Sequence, residues 1–269
     1  MSGNAKVWSS AASARVYDLG QPLQASMPVS PNHPGFRMAL LRRHGDLVRA
    51  DGSSASNEMM VMGGHSGTHI DALCHVSHQG RLHGGHDALE AQRGGSFSVH
   101  GAENIPIFFC RGVMLDIPRL LATDVLEPGT PITGEMLSRA AKQQQVEIAQ
   151  GDAVLVRSGW PRHWNDSARF VGLTDGAPGL DESGAQWLIE RSIRLAGGET
   201  IAFECIPPGR GHALLPVHRM LLVEHGIHIV EVMNLSQLAE NAVHEFLFVL
   251  SPLKVVGATG VPVRPIAVV

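Results

Sequence analysis

One short stretch, from His65 to His75, constrains the fold more than any other part of the chain. It holds three histidines and Asp71, separated only by small or apolar residues. If the segment is extended, the alternation of side chains places His69 and Asp71 on the same face. Gly67 lets the backbone turn between the first two histidines. The stretch therefore predicts a strand, entered through a turn, that presents imidazoles and a carboxylate together.

The histidines of the whole chain are clustered in a similar way. Of the 15 histidines, six lie between positions 65 and 86 and five between positions 212 and 244. Imidazole and carboxylate groups suit borderline cations such as Zn²⁺, Mn²⁺ or Fe²⁺. A lone histidine is more often structural than ligating, but three beside an aspartate favour a metal ion. The sequence predicts metal binding by His65, His69 and Asp71.

A second group of polar residues lies downstream. His218 opens a helical pattern, and Glu231 lies in the apolar run 227–232. In a strand, Glu231 shares a face with Ile229, which leaves a carboxylate on a mostly apolar surface. Such a carboxylate needs a partner. A salt bridge and a metal ion both satisfy that requirement, and the residues alone do not choose between them.

Composition excludes several classes of protein. The chain has 269 residues, of which 44% are hydrophobic and 17% charged, as in ordinary folded proteins. With a net charge of −4 and no basic stretch, nothing favours a nucleic-acid partner. Three scattered cysteines favour a reducing compartment. The first twenty residues contain no apolar run typical of a signal peptide, and no stretch is long enough to span a membrane. We therefore expect a cytoplasmic protein with no membrane partner.

Short apolar runs alternate with helical patterns. The predicted strands are Val113 to Ile117, Ala153 to Val156, Thr200 to Phe203 and Ile227 to Val232. Three helices are predicted. One begins near Thr133, and one follows Asp181 and extends to Leu195. The third runs from Val217 to His225 and stops at Gly226. This alternation predicts an α/β fold. We expect residues 1–16 to form a flexible N-terminal segment and residues 17–269 a single domain.

The first cluster resembles a known family. The residues from His65 to Asp71, followed by His75, resemble the H-x-G-T-H-x-D-x-x-x-H motif of the cyclase-like metal-dependent hydrolases. That family includes bacterial kynurenine formamidases, isatin hydrolases and a trans-dienelactone hydrolase. The resemblance extends from residues 17–19 through residues 151–160 to residues 218–235. It implies a swivelling β/β/α domain, with a mixed sheet and flanking helices.

The resemblance also implies roles for single residues. His65, His69 and Asp71 match metal ligands, and Asp71 is the bridge where a second ion is present. His218 and Glu231 match positions used at the second ion in the formamidases. The resemblance thus implies one or two divalent ions, Mn²⁺ or Zn²⁺.

His75 matches the catalytic acid/base of the family. The alternative interpretation of this residue is a third metal ligand or a brace for the ligands. The implied reaction is attack by metal-activated water on a carbonyl, with His75 moving a proton. Leu73 stands where the formamidases usually carry proline, and the spacing from His218 to Glu231 is longer than theirs. Both departures favour opening of a cyclic amide or lactone. The alternatives are an arylformamidase acting on N-formylkynurenine and a non-catalytic module that binds a metal or small ligand.

Other residues are weaker candidates. Phe36 and Trp160 have rings that can pack either against a flat substrate or in the core, and His212 precedes the second group. All three are candidates for contact with the substrate. The roles of five residues stay open: Cys74, His78, His83, His86 and Glu204. The expected partners are a small-molecule substrate and further copies of the chain, in a homodimer or homotetramer. No G-x-S-x-G or nucleotide-binding glycine motif occurs, so a serine hydrolase or dehydrogenase lacks support.

Overall fold

A nine-stranded mixed sheet organises the computed structural model, which describes residues 12–269. The described residues form thirteen strands, nine of which belong to this sheet. They are β1 (Val16–Asp18), β2 (Arg37–Arg42), β3 (Asn57–Val61), β4 (His69–Asp71), β5 (Phe108–Asp116), β6 (Pro131–Ile132), β7 (Ala153–Arg157), β8 (Gly179–Leu180), β9 (Leu195–Gly198), β10 (His228–Glu231), β11 (Glu245–Leu250), β12 (Gly260–Pro262) and β13 (Ile266–Val268). The order in the large sheet is β1-β13-β11-β5-β7-β9-β10-β4-β12. Strands β5, β7, β9 and β10 are parallel, and the outer pairings are antiparallel. The predicted α/β class is confirmed.

Short helices flank this sheet. They are α1 (Ala88–Ala91), α2 (Ile117–Leu120), α3 (Gly134–Gln144), α4 (Ser167–Val171), α5 (Glu182–Glu190), α6 (Pro216–His218) and α7 (Ser236–Glu240). Helix α6 continues as a π-helical segment, Arg219–Glu224. Three 3₁₀ turns occupy His83–Gly85, Ala102–Asn104 and Trp160–His163. No helix among the described residues is long and apolar enough to cross a membrane.

Apolar side chains cover both faces of the central sheet. Strand β7 is hydrophobic from Ala153 to Val156, because alternate residues enter different cores. Val154 and Val156 pack with the buried faces of α3 and α5. Ala153 and Leu155 pack on the opposite side, with residues from β4, β5 and β11. The predicted strand at Ala153 to Val156 is confirmed.

The helix boundaries follow the capping residues. The hydroxyl of Thr133 accepts a hydrogen bond from the amide of Met136, and the carboxylate of Asp181 accepts one from Gly184. Both therefore cap helices, as their sequence contexts predict. The third predicted helix ends before Gly226, whose φ of +64° lies in the left-handed region.

The predicted strand from Thr200 to Phe203 is wrong, because those residues form bends after β9. The actual strand, β9, includes Gly197 and Gly198. Both are buried, but glycine has no apolar side chain, so a search for hydrophobic residues does not detect this part of the strand. A Cβ atom at Gly197 would come within 2.9 Å of a Leu155 methyl group, so the core leaves no room for a larger residue. Leu195, predicted as helical, begins this strand.

Two peripheral features complete the fold. Strands β2 and β3 form a separate hairpin, and every residue in them is exposed, including Met38, Leu40 and Met60. Most of the predicted flexible segment 1–16 lies outside the described residues. The last residues of this segment are bonded to the rest of the fold, because the amide of Arg15 donates a hydrogen bond to the carbonyl of Val269 at 2.8 Å.

Candidate metal centre

Strand pairing builds the first part of the site. Strand β4 lies between β10 and β12, and its register places His69 opposite Glu231. The side chains of His69, Asp71 and Glu231 therefore point to one face of the sheet. Ile70 and Val230, which alternate with them, enter the hydrophobic core on the other face. The predicted common face of His69 and Asp71 is confirmed.

Two glycines make room for His65. Gly67 has a φ of +61°, and a Cβ atom there would come within 2.6 Å of a Leu23 methyl group. It forms the turn that returns His65 towards β4. Gly260, on the neighbouring strand, lies against the His65 ring, and a Cβ atom there would meet the imidazole at 2.6 Å. A larger residue at either position would displace His65 or strain the backbone.

The predicted ligands form two groups that share one residue. One group is His65, His69 and Asp71; the other is Asp71, His218 and Glu231. Within each group, the potential ligand atoms lie within 4.8 Å of one another. His69 Nε2 lies 3.3 Å from Glu231 Oε2, and His218 Nε2 lies 3.2 Å from Glu231 Oε1. Thus all five residues predicted to bind metal converge.

Asp71 has the geometry of a bridging ligand. Its Oδ1 atom lies 2.9 Å from His65 Nδ1, and its Oδ2 atom lies 3.6 Å from His218 Nε2. These imidazole contacts are ion-pair contacts and not well-aligned hydrogen bonds, and the same holds for Glu231 Oε1 among the described residues. Buried carboxylate oxygens that lack aligned hydrogen bonds are costly. A divalent cation would relieve this cost, so the donor set fits one ion or two.

Each of the three histidines predicted to bind metal is oriented through its other ring nitrogen. His69 Nδ1 donates to the carbonyl of Gly67 at 2.8 Å, and His218 Nδ1 lies 2.5 Å from Glu204 Oε1. His65 Nε2 lies 2.9 Å from Thr259 Oγ1. Such contacts fix the tautomer and direct the remaining nitrogen lone pair towards a metal.

Glu204 and Thr259 are therefore orienting residues. The role of Glu204 was open from the sequence. Sequence reasoning missed Thr259, because a lone threonine far along the chain carries no motif.

Electrostatics keep the carboxylates of this centre ionised. Burial by itself raises the pKa of Asp71, but the imidazoles of His75 and His65 hold it far below its ordinary value. Burial likewise opposes ionisation of Glu231, and contacts with His218 and His69 lower its pKa overall. The carboxylates at the centre are thus ionised and surrounded by imidazole groups, which is a donor set suited to a cation.

His75 stands beside the ligands but belongs to neither group. Its ring centroid lies 4.0 Å from that of His65 and 6.3 Å from that of His218. Burial lowers the pKa of His75 to about 4, against the opposing charge of Asp71. The ring lines the cavity over the ligands. A neutral imidazole in this position can accept a proton from a group in the cavity.

The cavity over the ligands has a volume of about 230 Å³. His212 lies in its lining, as does the turn 30–33, which was not singled out from the sequence. Phe36 and Trp160 do not line it. Both are buried in a hydrophobic cluster, and the Trp160 indole donates to the Phe170 carbonyl at 2.9 Å. The structure gives these two aromatic residues a packing role.

The other open residues lie away from the cavity lining. Burial raises the pKa of the Cys74 thiol to about 12, which keeps it protonated. His83 and His86 pack against His100, with centroid separations of 5.8 and 5.1 Å. His78 is exposed and pairs with Arg81 across a turn.

Known proteins resemble this chain in sequence and in fold. A family model described as putative cyclase matches residues 17–205. An isatin hydrolase from Roseibium aggregatum is 25% identical over 224 residues, which cover 82% of this chain and 77% of that protein. A kynurenine formamidase from Sphingopyxis alaskensis is 36% identical over 67 residues, which cover 25% of this chain and 30% of that protein. The crystal structure of a novel cyclase aligns with a TM-score of 0.85 and 26% identity, covering 98% of this chain and 92% of that one. The predicted resemblance and fold are confirmed.

Proposed function

The chain belongs to the putative cyclase family, and we propose that it is a metal-dependent hydrolase that opens a cyclic amide or lactone. Relatives named isatin hydrolase and kynurenine formamidase support a hydrolase. The observation that carries the proposal is the carboxylate of Asp71, which is buried, lacks an aligned hydrogen bond from the described residues and is shared between the two groups of predicted ligands.

The residues present define where a metal would bind. His65, His69 and Asp71 would hold one ion, and Asp71, His218 and Glu231 would hold a second. When bound, a divalent ion supplies a Lewis acid and makes water acidic enough to lose a proton near neutral pH. Imidazole and carboxylate ligands serve Zn²⁺ and Mn²⁺ alike, so we propose either metal.

His75 is proposed as the acid/base residue. Its ring lies in the cavity lining, near enough to His65 and His218 to meet a substrate held over them. Its pKa is lowered by burial, so the neutral ring would take a proton from the attacking water and return it to the leaving nitrogen or oxygen. Ile201, Ala202 and Leu215 form the apolar part of the lining, which would limit bulk water around that transfer.

An arylformamidase acting on N-formylkynurenine is the second candidate. The stretch that is 36% identical to a kynurenine formamidase supports it. The same metal centre would serve both reactions, so the ligands do not separate them. Leu73, in place of the usual proline, supports the cyclic substrate instead.

The first experiment is metal analysis by mass spectrometry on protein purified without a His tag, beside His69→Ala. We expect one or two equivalents of Zn or Mn in the wild type and a large loss in the variant. Metal-loaded protein is then assayed with isatin, a dienelactone and N-formylkynurenine. Absence of bound metal, even after incubation with Zn²⁺ or Mn²⁺, contradicts the proposal. Metal binding without hydrolysis of any compound would support a non-catalytic binding module.

A further inference from the structure

A turn from the N-terminal arm supplies part of the cavity wall. The amide of His33 donates to the carbonyl of Ser30 at 3.0 Å, which closes the turn. Ser30, Asn32 and His33 all line the cavity. The imidazole of His33 stacks on that of His65, with ring centroids 4.9 Å apart. This turn therefore lies against the metal ligands, where it would meet a substrate.

Two side chains in the cavity lining carry a buried polar atom without a partner. Ser30 is 5% exposed, and its hydroxyl oxygen has no hydrogen-bond partner among the described residues. The same holds for Nε2 of His212. Buried hydroxyl and imidazole groups are normally hydrogen-bonded. Neither residue belongs to the two groups of metal ligands, so metal binding does not account for these atoms.

The chemistry of these groups narrows the choice of ligand. A hydroxyl both donates and accepts, and a neutral imidazole does the same through its two nitrogens. No lysine or arginine among the described residues lines the cavity, so an anionic substituent on the ligand would meet no cationic lysine or arginine there. The carboxylate in the lining, Glu231, is one of the predicted metal ligands. The volume of about 230 Å³ is below the range of about 300–1,000 Å³ typical of sites for drug-sized ligands. A compact ligand with an uncharged polar group fits this lining.

We propose that the substrate is a single-ring lactone or cyclic amide with a hydroxyl or amide substituent, which Ser30 and His212 bind. The inference rests on the proposed function, because the carbonyl of the same ring would be the group hydrolysed over His65, His69 and Asp71. Ser30 and His212 then determine specificity, since a ring without the substituent would leave both polar atoms unpaired.

The test compares γ-butyrolactone with its α-hydroxy and β-hydroxy derivatives, using metal-loaded wild-type protein. One neutral hydrogen bond changes affinity by about threefold to tenfold, so we expect the better hydroxylated ring to exceed the parent about tenfold or more in kcat/KM. In Ser30→Ala, this preference should fall about threefold to tenfold, and in Ser30→Thr it should largely return. His212→Ala should also lower the preference. The control is Gln24→Ala, an exposed position on the same arm, which should keep the wild-type ratio.

Melting temperatures separate a binding role from a structural one. Removal of an unpartnered buried hydroxyl should not destabilise the fold, so Ser30→Ala should melt at or above the wild-type temperature. Equal rates on the three lactones, or an unchanged ratio in both Ser30→Ala and His212→Ala, would overturn the inference. If only isatin or N-formylkynurenine is hydrolysed, the inference fails while a hydrolase stands. Hydrolysis of none of these compounds overturns both proposals.

Discussion

Replacement of Glu204 by glutamine should weaken metal binding without removing any metal ligand. The carboxylate accepts three contacts from one short segment. Oε1 receives His218 Nδ1 at 2.5 Å and the His218 amide at 3.2 Å, while Oε2 receives the Val217 amide at 3.1 Å. It therefore fixes both the start of helix α6 and the orientation of the His218 ring, whose Nε2 faces Asp71 and Glu231.

Glutamine has nearly the same shape, but neither orientation of its amide satisfies all three donors. If the amide oxygen faces His218, the NH₂ group meets the donating amide of Val217. If the NH₂ group faces His218, Nδ1 must accept, and the proton moves to Nε2, where the lone pair for the metal should be. Loss of such an orienting partner typically costs about 10-fold to 100-fold in metal affinity, or about 1.4–2.7 kcal/mol.

The assay is competition between the protein and a chromophoric chelator for Zn²⁺ and, separately, for Mn²⁺. Glu90→Gln is the matched control, because Glu90 is exposed and its carboxylate forms an ion pair with Arg93. Its metal affinity should equal that of the wild type. A Glu204→Gln variant that stays folded and binds both metals within twofold of the wild type would refute the reasoning, since His218 would then need no orienting partner.

Four further predictions concern the centre, the sheet and assembly. His75→Ala should lose activity by about 10² to 10⁴ while keeping its metal, as measured by kcat and metal content; loss of metal would make His75 a ligand. Gly260→Ala should lower metal affinity, because its Cβ atom would meet the His65 imidazole at 2.6 Å; chelator competition checks this, and unchanged affinity contradicts it. Glu199→Gln should lower the free energy of unfolding by about 1–3 kcal/mol in urea titrations, because its buried oxygens accept from the amides of Ser158, Gly159 and Leu235; an unchanged midpoint contradicts it. The exposed apolar hairpin of β2 and β3 supports the expected homodimer or homotetramer, which light scattering after gel filtration would measure; a monomer at micromolar concentration contradicts it.

The local part of the site could be predicted from the sequence because it follows from strand periodicity. His69 and Asp71 are two residues apart, so any extended conformation places them on one face. The same periodicity places Glu231 on one strand face with Ile229. Resemblance to the family supplied what periodicity lacked, namely that the segments around His69 and Glu231 belong to one site. In the structure, that link is the antiparallel pairing of β4 with β10.

The residues that were misjudged or missed depend on tertiary packing. Phe36 and Trp160 were candidates for contact with the substrate, but a large apolar ring is as useful in a core, and burial decides between the two uses only in three dimensions. Strand β9 was missed because glycine, required there by close packing, has little strand propensity of its own. Ser30 and Thr259 carry ordinary polar groups whose importance comes entirely from their neighbours.

Glu231, one of the predicted metal ligands, lies where strand β10 ends, and a buried hydrogen-bond network holds that end in place. Glu231 is the last residue of β10, and the chain beyond it passes to Leu235, whose amide donates to Glu199 at 2.9 Å. The other oxygen of Glu199 accepts from Ser158 and Gly159, which follow β7. One buried carboxylate thus joins the ends of two parallel strands separated by β9. Asp71 belongs to both groups of predicted ligands, so the groups tolerate little movement. If Glu231 moved relative to Asp71, the ligand atoms of the second group would no longer converge. The brace at Glu199 therefore serves the geometry of the centre as well as the stability of the fold.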